Sequence, residues 1–367
     1  MIKYIRSGNM KIVKLTNNPD NTNDAVFLAI NALNKGGLVI YPTETVYGIG
    51  ADATNQNAID KLLNYKSRRE GKPLSIAVTD QAMAKNFVEL NDQAIQFYQR
   101  FLPGPYTIVS KDKGKLAKGV ASEFSTLGIR VSSHPLINKL VEGFTKPITA
   151  TSANSSGKKR PYSILDILDN ISDKQKNLID LIIDAGTLPK NEPSIVIDTT
   201  HSTPLTLRSQ IDIPEKSVSI TSISDQETKE IAGKLLLKNW ERVNKRGLVI
   251  ALDGELGAGK TVFAKGVANF LQIDQQITSP TYTYIKEYEY SRHQTNGIFY
   301  HLDLWRLDDE ELAKRLRIEE LVKKNNVIVI EWWDQAKQFL NNLNPDIFIQ
   351  LDILENEQRK LIISEQK

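Results

Sequence analysis

Apolar residues recur at Ala25, Leu28, Ala29, Ala32 and Leu33, which is the spacing of one face of a helix. The pattern predicts a helix over residues 23–35, ended by Gly36-Gly37. The unbroken run Leu38-Val39-Ile40-Tyr41 predicts a buried strand. A second helical period covers residues 58–65 and leads into a loop dense in cations, residues 66–72. Short apolar runs at 11–15, 74–78, 106–110, 128–132, 148–151 and 195–198 predict further strands, and helical stretches at 91–101, 135–143 and 163–170 lie between them. Residues 1–9 are expected to be a loose extension. Strand and helix alternate without strict order, which predicts a mixed α/β sheet.

The pattern changes after residue 213. Residues 214–225 are polar and rich in Ser, and read as a linker. A helix is predicted over 228–245, with Ile231, Leu235, Leu236 and Trp240 on one side. A strand at 248–252, a Gly-rich loop and a helix at 261–270 follow, and later strands are predicted at 297–302 and 327–330. At 367 residues the chain exceeds what one core usually organises. Two domains are therefore expected, at 10–213 and 226–367.

Composition narrows the chemistry. The net charge of +3 neither requires nor excludes a nucleic-acid partner. There are no cysteines, so disulfides, thiolate catalysis and Cys-based metal sites are excluded. The four histidines are scattered. No apolar run reaches the ~18–20 residues that span a bilayer. The first residues lack a signal-peptide pattern. No membrane association and a cytoplasmic location are expected.

The Gly-rich loop, Gly254-Glu255-Leu256-Gly257-Ala258-Gly259-Lys260-Thr261, is a complete G-x-x-x-x-G-K-[ST] motif in a strand–loop–helix context. Its backbone N–H groups can converge on phosphate oxygens. Lys260 would neutralise phosphate charge, and Thr261 would offer a hydroxyl to Mg²⁺. Ser279-Pro280-Thr281-Tyr282-Thr283 offers hydroxyls to a γ-phosphate or metal. His301-Leu302-Asp303 ends a strand with an acid, and Val327-Ile328-Val329-Ile330-Glu331 delivers a carboxylate at a strand tip. Singly, each has a plain reading: a turn, a packed histidine, a strand end. Together GELGAGKT, SPTYT, HLDLWRL and IEWW resemble TsaE, an ATPase family assisting threonylcarbamoyladenosine (t6A) synthesis in tRNA, over about residues 226–350. The resemblance implies ATP binding by Glu255, Gly257, Ala258, Gly259, Lys260 and Thr261. It implies Mg²⁺ held by Thr261 and Glu331, and Asp303 needed for hydrolysis. It also implies TsaD and TsaB as protein partners, with tRNA involved at least indirectly.

In the first half, Pro42-Thr43-Glu44-Thr45-Val46-Tyr47-Gly48 follows a buried strand, where α/β ligand clefts form. Lys66, Arg68, Arg69 and Lys72 crowd one loop, and Arg can hold phosphates or carboxylates bidentately. Thr151-Ser152-Ala153-Asn154-Ser155-Ser156-Gly157 suits hydrogen bonding to a nucleotide. Read alone, these pieces give an anion-binding α/β domain. PTETVYGIGADA, K-S-R followed by KPL, GIRVSSHP, TSANSSG and SIVID, in that order, resemble YrdC-type proteins, including TsaC, over about residues 12–210. That family makes threonylcarbamoyl-adenylate and pyrophosphate from L-threonine, bicarbonate and ATP. The resemblance implies catalytic roles for Lys66 and Arg68 and adenylate contacts from Ser152 and Asn154. It implies a threonine pocket lined by Thr43, Arg130 and Ser194, and an ATP contact from Arg208. The fold expected is a YrdC-like mixed-sheet domain followed by a small P-loop NTPase domain. Two other readings stay open: a non-catalytic RNA-binding or assembly factor regulated by nucleotide, and a P-loop kinase with a sensor domain.

Overall fold

A computed structural model describes residues 4–7, 10–16, 19–67, 73–155, 158–192, 194–201, 205–208, 217–340, 342–355 and 358–366, with the backbone alone at 4–7 and 205–208. The chain divides into two compact units. The first comprises Met1–Thr200 with Thr206–Ile211, and the second His201–Leu205 with Asp212–Lys367.

Two sheets build the first unit. One runs Tyr4–Ser7, Met10–Lys14, Ile179–Asp184, Leu38–Tyr41, Gly48–Gly50, Thr151–Ser152. The other runs Leu205–Arg208, Ile195–Asp198, Tyr106–Asp112, Thr126–Arg130, Ser75–Ala77, Ile148–Thr149, with Val88–Glu89 added to Tyr106–Asp112. Leu38–Tyr41 is buried along its whole length, and its side chains alternate between two cores. Leu38 and Ile40 join a cluster with Ile59, Leu62, Tyr65, Ile76, Ile108 and Ile129. Val39 and Tyr41 join one with Ala29, Leu33, Leu140 and Ile183, from the helices Pro19–Asn34 and Pro135–Phe144 and a neighbouring strand. A strand covered on both faces reads as an unbroken apolar run, as this one does.

Three points depart from expectation here. Tyr4–Ser7 is a strand antiparallel to Met10–Lys14, so part of the presumed loose extension is a sheet edge. Ile179–Asp184 was not predicted. It lies parallel between Met10–Lys14 and Leu38–Tyr41, a pairing across more than a hundred residues that local periodicity does not register. The predicted strand at 148–151 is divided into Ile148–Thr149 and Thr151–Ser152, which enter different sheets.

One seven-stranded sheet organises the second unit. Its order is Ser217–Ser222, Arg359–Glu365, Ile347–Ile353, Leu248–Gly254, Val327–Glu331, Thr295–Asp303, Ile285–Arg292. Leu248–Gly254 is central and parallel to both neighbours. The expected linker is corrected: Ser217–Ser222 is an edge strand antiparallel to Arg359–Glu365, and the helix Asp225–Lys238 begins directly behind it. Ser222, buried, hydrogen-bonds Thr228 at 2.7 Å, which explains why a Ser-rich segment can be structured. The single helix expected over 228–245 is two, Asp225–Lys238 and Trp240–Arg246. Asn239 separates them, and its amide donates to the Leu235 carbonyl at 3.0 Å. Such local side-chain bonding competes with helix continuation. Among the described residues no helix is long and apolar enough to cross a membrane.

Candidate functional site

In the first unit the chain brings Lys66, Ser152 and Asn154 together. Lys66 closes the helix Gln56–Lys66, whose apolar face (Ala58, Ile59, Leu62, Tyr65) is buried. Its ammonium donates to the Ser152 carbonyl at 2.7 Å and to the Asn154 carbonyl. The Ser152 hydroxyl donates to Asn154 Oδ1 at 2.6 Å, and Asn154 Nδ2 donates to the Lys158 carbonyl at 2.8 Å. Arg68 lies outside the described residues, as do Arg69, Lys72 and the side chain of Arg208.

A second group adjoins it. Thr43 Oγ1 donates to the Val46 carbonyl at 2.6 Å and accepts from the Thr45 and Val46 amides, which makes a tight turn. Glu44 projects from that turn. One carboxylate oxygen accepts from Arg130 at 2.6 Å and the other from the Ser132 hydroxyl at 2.5 Å. Burial holds the His134 imidazole below its ordinary pKa, with Glu44 opposing. Ser194 is buried and lies 3.5 Å from Thr107, whose neighbour Ile108 pairs with Ile129 beside Arg130. Gly48 joins the two groups. It pairs with Ser152 on one side and Tyr41 on the other, and a Cβ there would come within 3.4 Å of Thr43 and 2.8 Å of Tyr41.

Glu44 was not expected as a site residue; only its place between two threonines at a strand end marked it. The Glu44–Arg130 pair is mostly shielded, each side chain being 14% exposed. Glu44→Gln is expected to destabilise the first unit by about 1.5–3 kcal/mol, the range for hydrogen bonds to charged groups. The shift of its denaturant midpoint measures this, and an unchanged midpoint would show that the pair contributes nothing.

In the second unit the loop joins the strand Leu248–Gly254 to the helix Lys260–Phe270. Gly254, Gly257 and Gly259 all have positive φ. Glu331 and Asp303 end neighbouring parallel strands and are register partners, while Leu252 pairs with Glu331 from the other side. All three strand ends thus meet at the loop. Lys260 is buried and donates to the Gly254 and Glu255 carbonyls at 2.7 and 2.9 Å. Its ammonium lies 3.5 Å from the centroid of the Trp332 ring. Burial depresses the Lys260 pKa, and Glu331, Asp253 and Asp303 oppose that shift. Thr261 donates to Glu331 at 2.9 Å. Behind Glu331, the fully buried His301 contacts its Oε1 through Nε2 at 2.7 Å. Asp303 Oδ2 accepts from Ser279 at 2.5 Å and Thr281 at 2.8 Å. The Ser-Pro-Thr loop is therefore tied to the strand-end acid.

Every expected residue of this second group lies around one loop. Trp332, in left-handed backbone (φ 64), was not expected as a contact of Lys260. Its adjacency to the strand-end carboxylate was the available signal. Gly254→Ala should abolish triphosphate binding at this loop, because a Cβ would stand 2.2 Å from the Leu351 carbonyl oxygen at φ +139. Gly257→Ala meets nothing within 4 Å and suffers only its φ of +85, a strain of about 1–2 kcal/mol. Titration with a fluorescent nucleotide separates the two. Equal losses would show that the Leu351 contact is not what fixes Gly254.

Two family models match the chain. Sua5_yciO_yrdC, described as "Telomere recombination", matches residues 31–210. TsaE, described as "Threonylcarbamoyl adenosine biosynthesis protein TsaE", matches residues 223–361. A "Putative threonylcarbamoyl-AMP synthase" of Methanocaldococcus jannaschii is 37% identical over 189 residues, 51% of this chain and 86% of the relative. A "Threonylcarbamoyl-AMP synthase" of Vibrio parahaemolyticus is 31% identical over 176 residues, 47% of this chain and 93% of the relative. Among solved structures, a variant of P. abyssi Sua5 is similar in fold with a TM-score of 0.51, at 21% identity over 94% of this chain and 100% of that one.

Proposed function

This chain belongs to the Sua5/YciO/YrdC family of threonylcarbamoyl-AMP synthases over residues 31–210 and is matched by the TsaE family model over residues 223–361, and from that premise we propose that it is a bifunctional enzyme of tRNA t6A synthesis. In this reading the first unit makes L-threonylcarbamoyladenylate and pyrophosphate from L-threonine, bicarbonate and ATP. The second hydrolyses ATP in support of threonylcarbamoyl transfer to tRNA by a TsaD/TsaB partner. The observation that carries the first assignment is the grip of Lys66 on the Ser152 and Asn154 carbonyls. It joins the cation and the nucleotide-binding segment implied by the family into one site.

The reaction has two steps. The deprotonated threonine amine forms an N–C bond with bicarbonate, releasing water and leaving a carbamate. A carbamate oxygen then bonds to the α-phosphorus of ATP, the bond to the β-phosphate oxygen breaks, and pyrophosphate leaves. Negative charge gathers at both steps. The protein's contribution is accordingly positioning and charge stabilisation. Lys66 offsets charge at the segment that holds the adenylate. Arg130, braced by Glu44, stands beside the Thr43 turn to hold the threonine carboxylate.

The second site suits a hard cation with a triphosphate. The Thr261 hydroxyl and Glu331 carboxylate are oxygen donors 2.9 Å apart at the foot of the loop, and they would hold Mg²⁺. Bound there, the ion would neutralise charge on the transferring phosphate. His301 orients Glu331, and Asp303 fixes the Ser279–Thr281 hydroxyls where they can face the γ-phosphate.

Incubation with ATP, Mg²⁺, threonine and labelled bicarbonate tests the proposal. Label should enter an adenylate only when threonine is present. Label without threonine, or none with it, rejects the synthase assignment.

A further inference from the structure

We propose that Tyr65 and Gln175 are positioning residues for the segment 152–155, and that through it they set the first unit's affinity for ATP. The inference rests on the reading above in taking that segment as the adenylate-binding one.

Four consecutive residues of this segment are held from outside. The Ser152 and Asn154 carbonyls accept from Lys66. Between them, the Ala153 carbonyl accepts from the Tyr65 hydroxyl at 2.6 Å. Next along, the Ser155 hydroxyl accepts from Gln175 Nε2 at 2.7 Å. Tyr65 is fully buried, and burial raises its phenol pKa, which keeps the hydroxyl a donor. One helix end, Tyr65 and Lys66, therefore grips three carbonyls in a row.

Gln175 completes the clasp from the short helix Asp173–Lys176. The helix carrying Lys66 ends at Ser67 in left-handed backbone, with the Ser67 amide bonded to the Asn64 and Leu63 carbonyls. The Tyr65 carbonyl belongs to the last turn, where carbonyls lack helical partners. Gln175 Nε2 donates to it at 2.6 Å. The amide cannot be turned round. Its Oε1 accepts from both the amide and the hydroxyl of Ser172, each at 3.0 Å. All four hydrogen-bonding positions of the Gln175 side chain are thereby used. The nitrogen must face the Tyr65 carbonyl and Ser155, and it joins the Lys66 helix to the adenylate segment independently of Lys66.

Tyr65→Phe removes one hydroxyl and keeps the ring in the core. Gln175→Met keeps length and removes every polar atom. The test is calorimetric titration of each variant with ATP and, separately, with threonine. It is performed in the Lys260→Ala background so that the loop of the second unit does not contribute. Each variant should weaken ATP binding by about 3–10-fold, the value of one or two net hydrogen bonds. Threonine binding should stay within about twofold of its starting value, since the Thr43 and Arg130 group is anchored separately. ATP affinity unchanged in both variants overturns the proposal. So does a parallel loss for ATP and threonine, which would mark a general loosening of the fold. If the unsubstituted protein binds ATP but forms no threonine-dependent adenylate, the synthase reading fails, and the ATP titration still decides this inference.

Discussion

Lys66→Ala is expected to slow pyrophosphate release dependent on threonine and bicarbonate by about 10²–10³-fold, the usual effect of losing one charge-stabilising contact. Two losses combine. The cation proposed to offset charge at the reacting phosphate disappears, and the Ser152 and Asn154 carbonyls lose their donor. Lys66 is buried, and no solvent ion can take its place cheaply. Lys66→Arg separates the two contributions. It restores positive charge, but its planar fork does not match the two-carbonyl grip of an ammonium, so recovery should be partial. Pyrophosphate release followed with a coupled phosphate assay gives the rates. A wild-type rate in Lys66→Ala removes Lys66 from the chemistry.

The second large effect concerns the other unit. Lys260→Ala should lower ATP hydrolysis by about 10²-fold or more, since this side chain is the fixed positive charge inside the phosphate loop. The loop loses more than a ligand contact. Lys260 ties together the Gly254 and Glu255 carbonyls and packs on Trp332, so the empty loop also loosens. The indole provides a second readout: in the unsubstituted protein ATP should change tryptophan emission, and in the variant it should not. Threonine-dependent adenylate formation should persist, because its residues all belong to the first unit. Simultaneous loss of both activities would contradict separate sites.

How far the chain could be read in advance differed between the two halves. The loop from Gly254 to Thr261 announces itself because its chemistry is contiguous: each glycine answers a backbone demand of one turn. Leu38–Tyr41 was equally legible, since burial on both faces leaves only apolar residues. Ile179–Asp184 was not, although Leu181, Ile182 and Ile183 are all buried. Its place depends on partners far away in sequence. Ser217–Ser222 misled for another reason. A strand at a sheet edge needs few apolar residues, and its serines resemble those of a loop. In the candidate sites, Lys66, Ser152 and Asn154 were named in advance and lie together, while their supports were missed. Glu44 and Trp332 sit inside the quoted motifs, but their contacts with Arg130 and Lys260 are long-range, as are those of Tyr65 and Gln175 with the segment 152–155.

Ser217–Ser222 also decides where the second unit can be cut. It covers Arg359–Glu365, and without it that strand would present a bare row of amides and carbonyls to solvent. A fragment started at residue 226 would therefore tend to stick to its own copies. It would also lack Asp225, which binds the Arg359 guanidinium at 2.5 Å. That guanidinium abuts Gly259, where an added Cβ would come within 2.6 Å of its Nε. Trimming residues 217–225, which look dispensable, would thus slacken the third glycine of the loop from behind. Independent expression of this half should begin no later than Ser217.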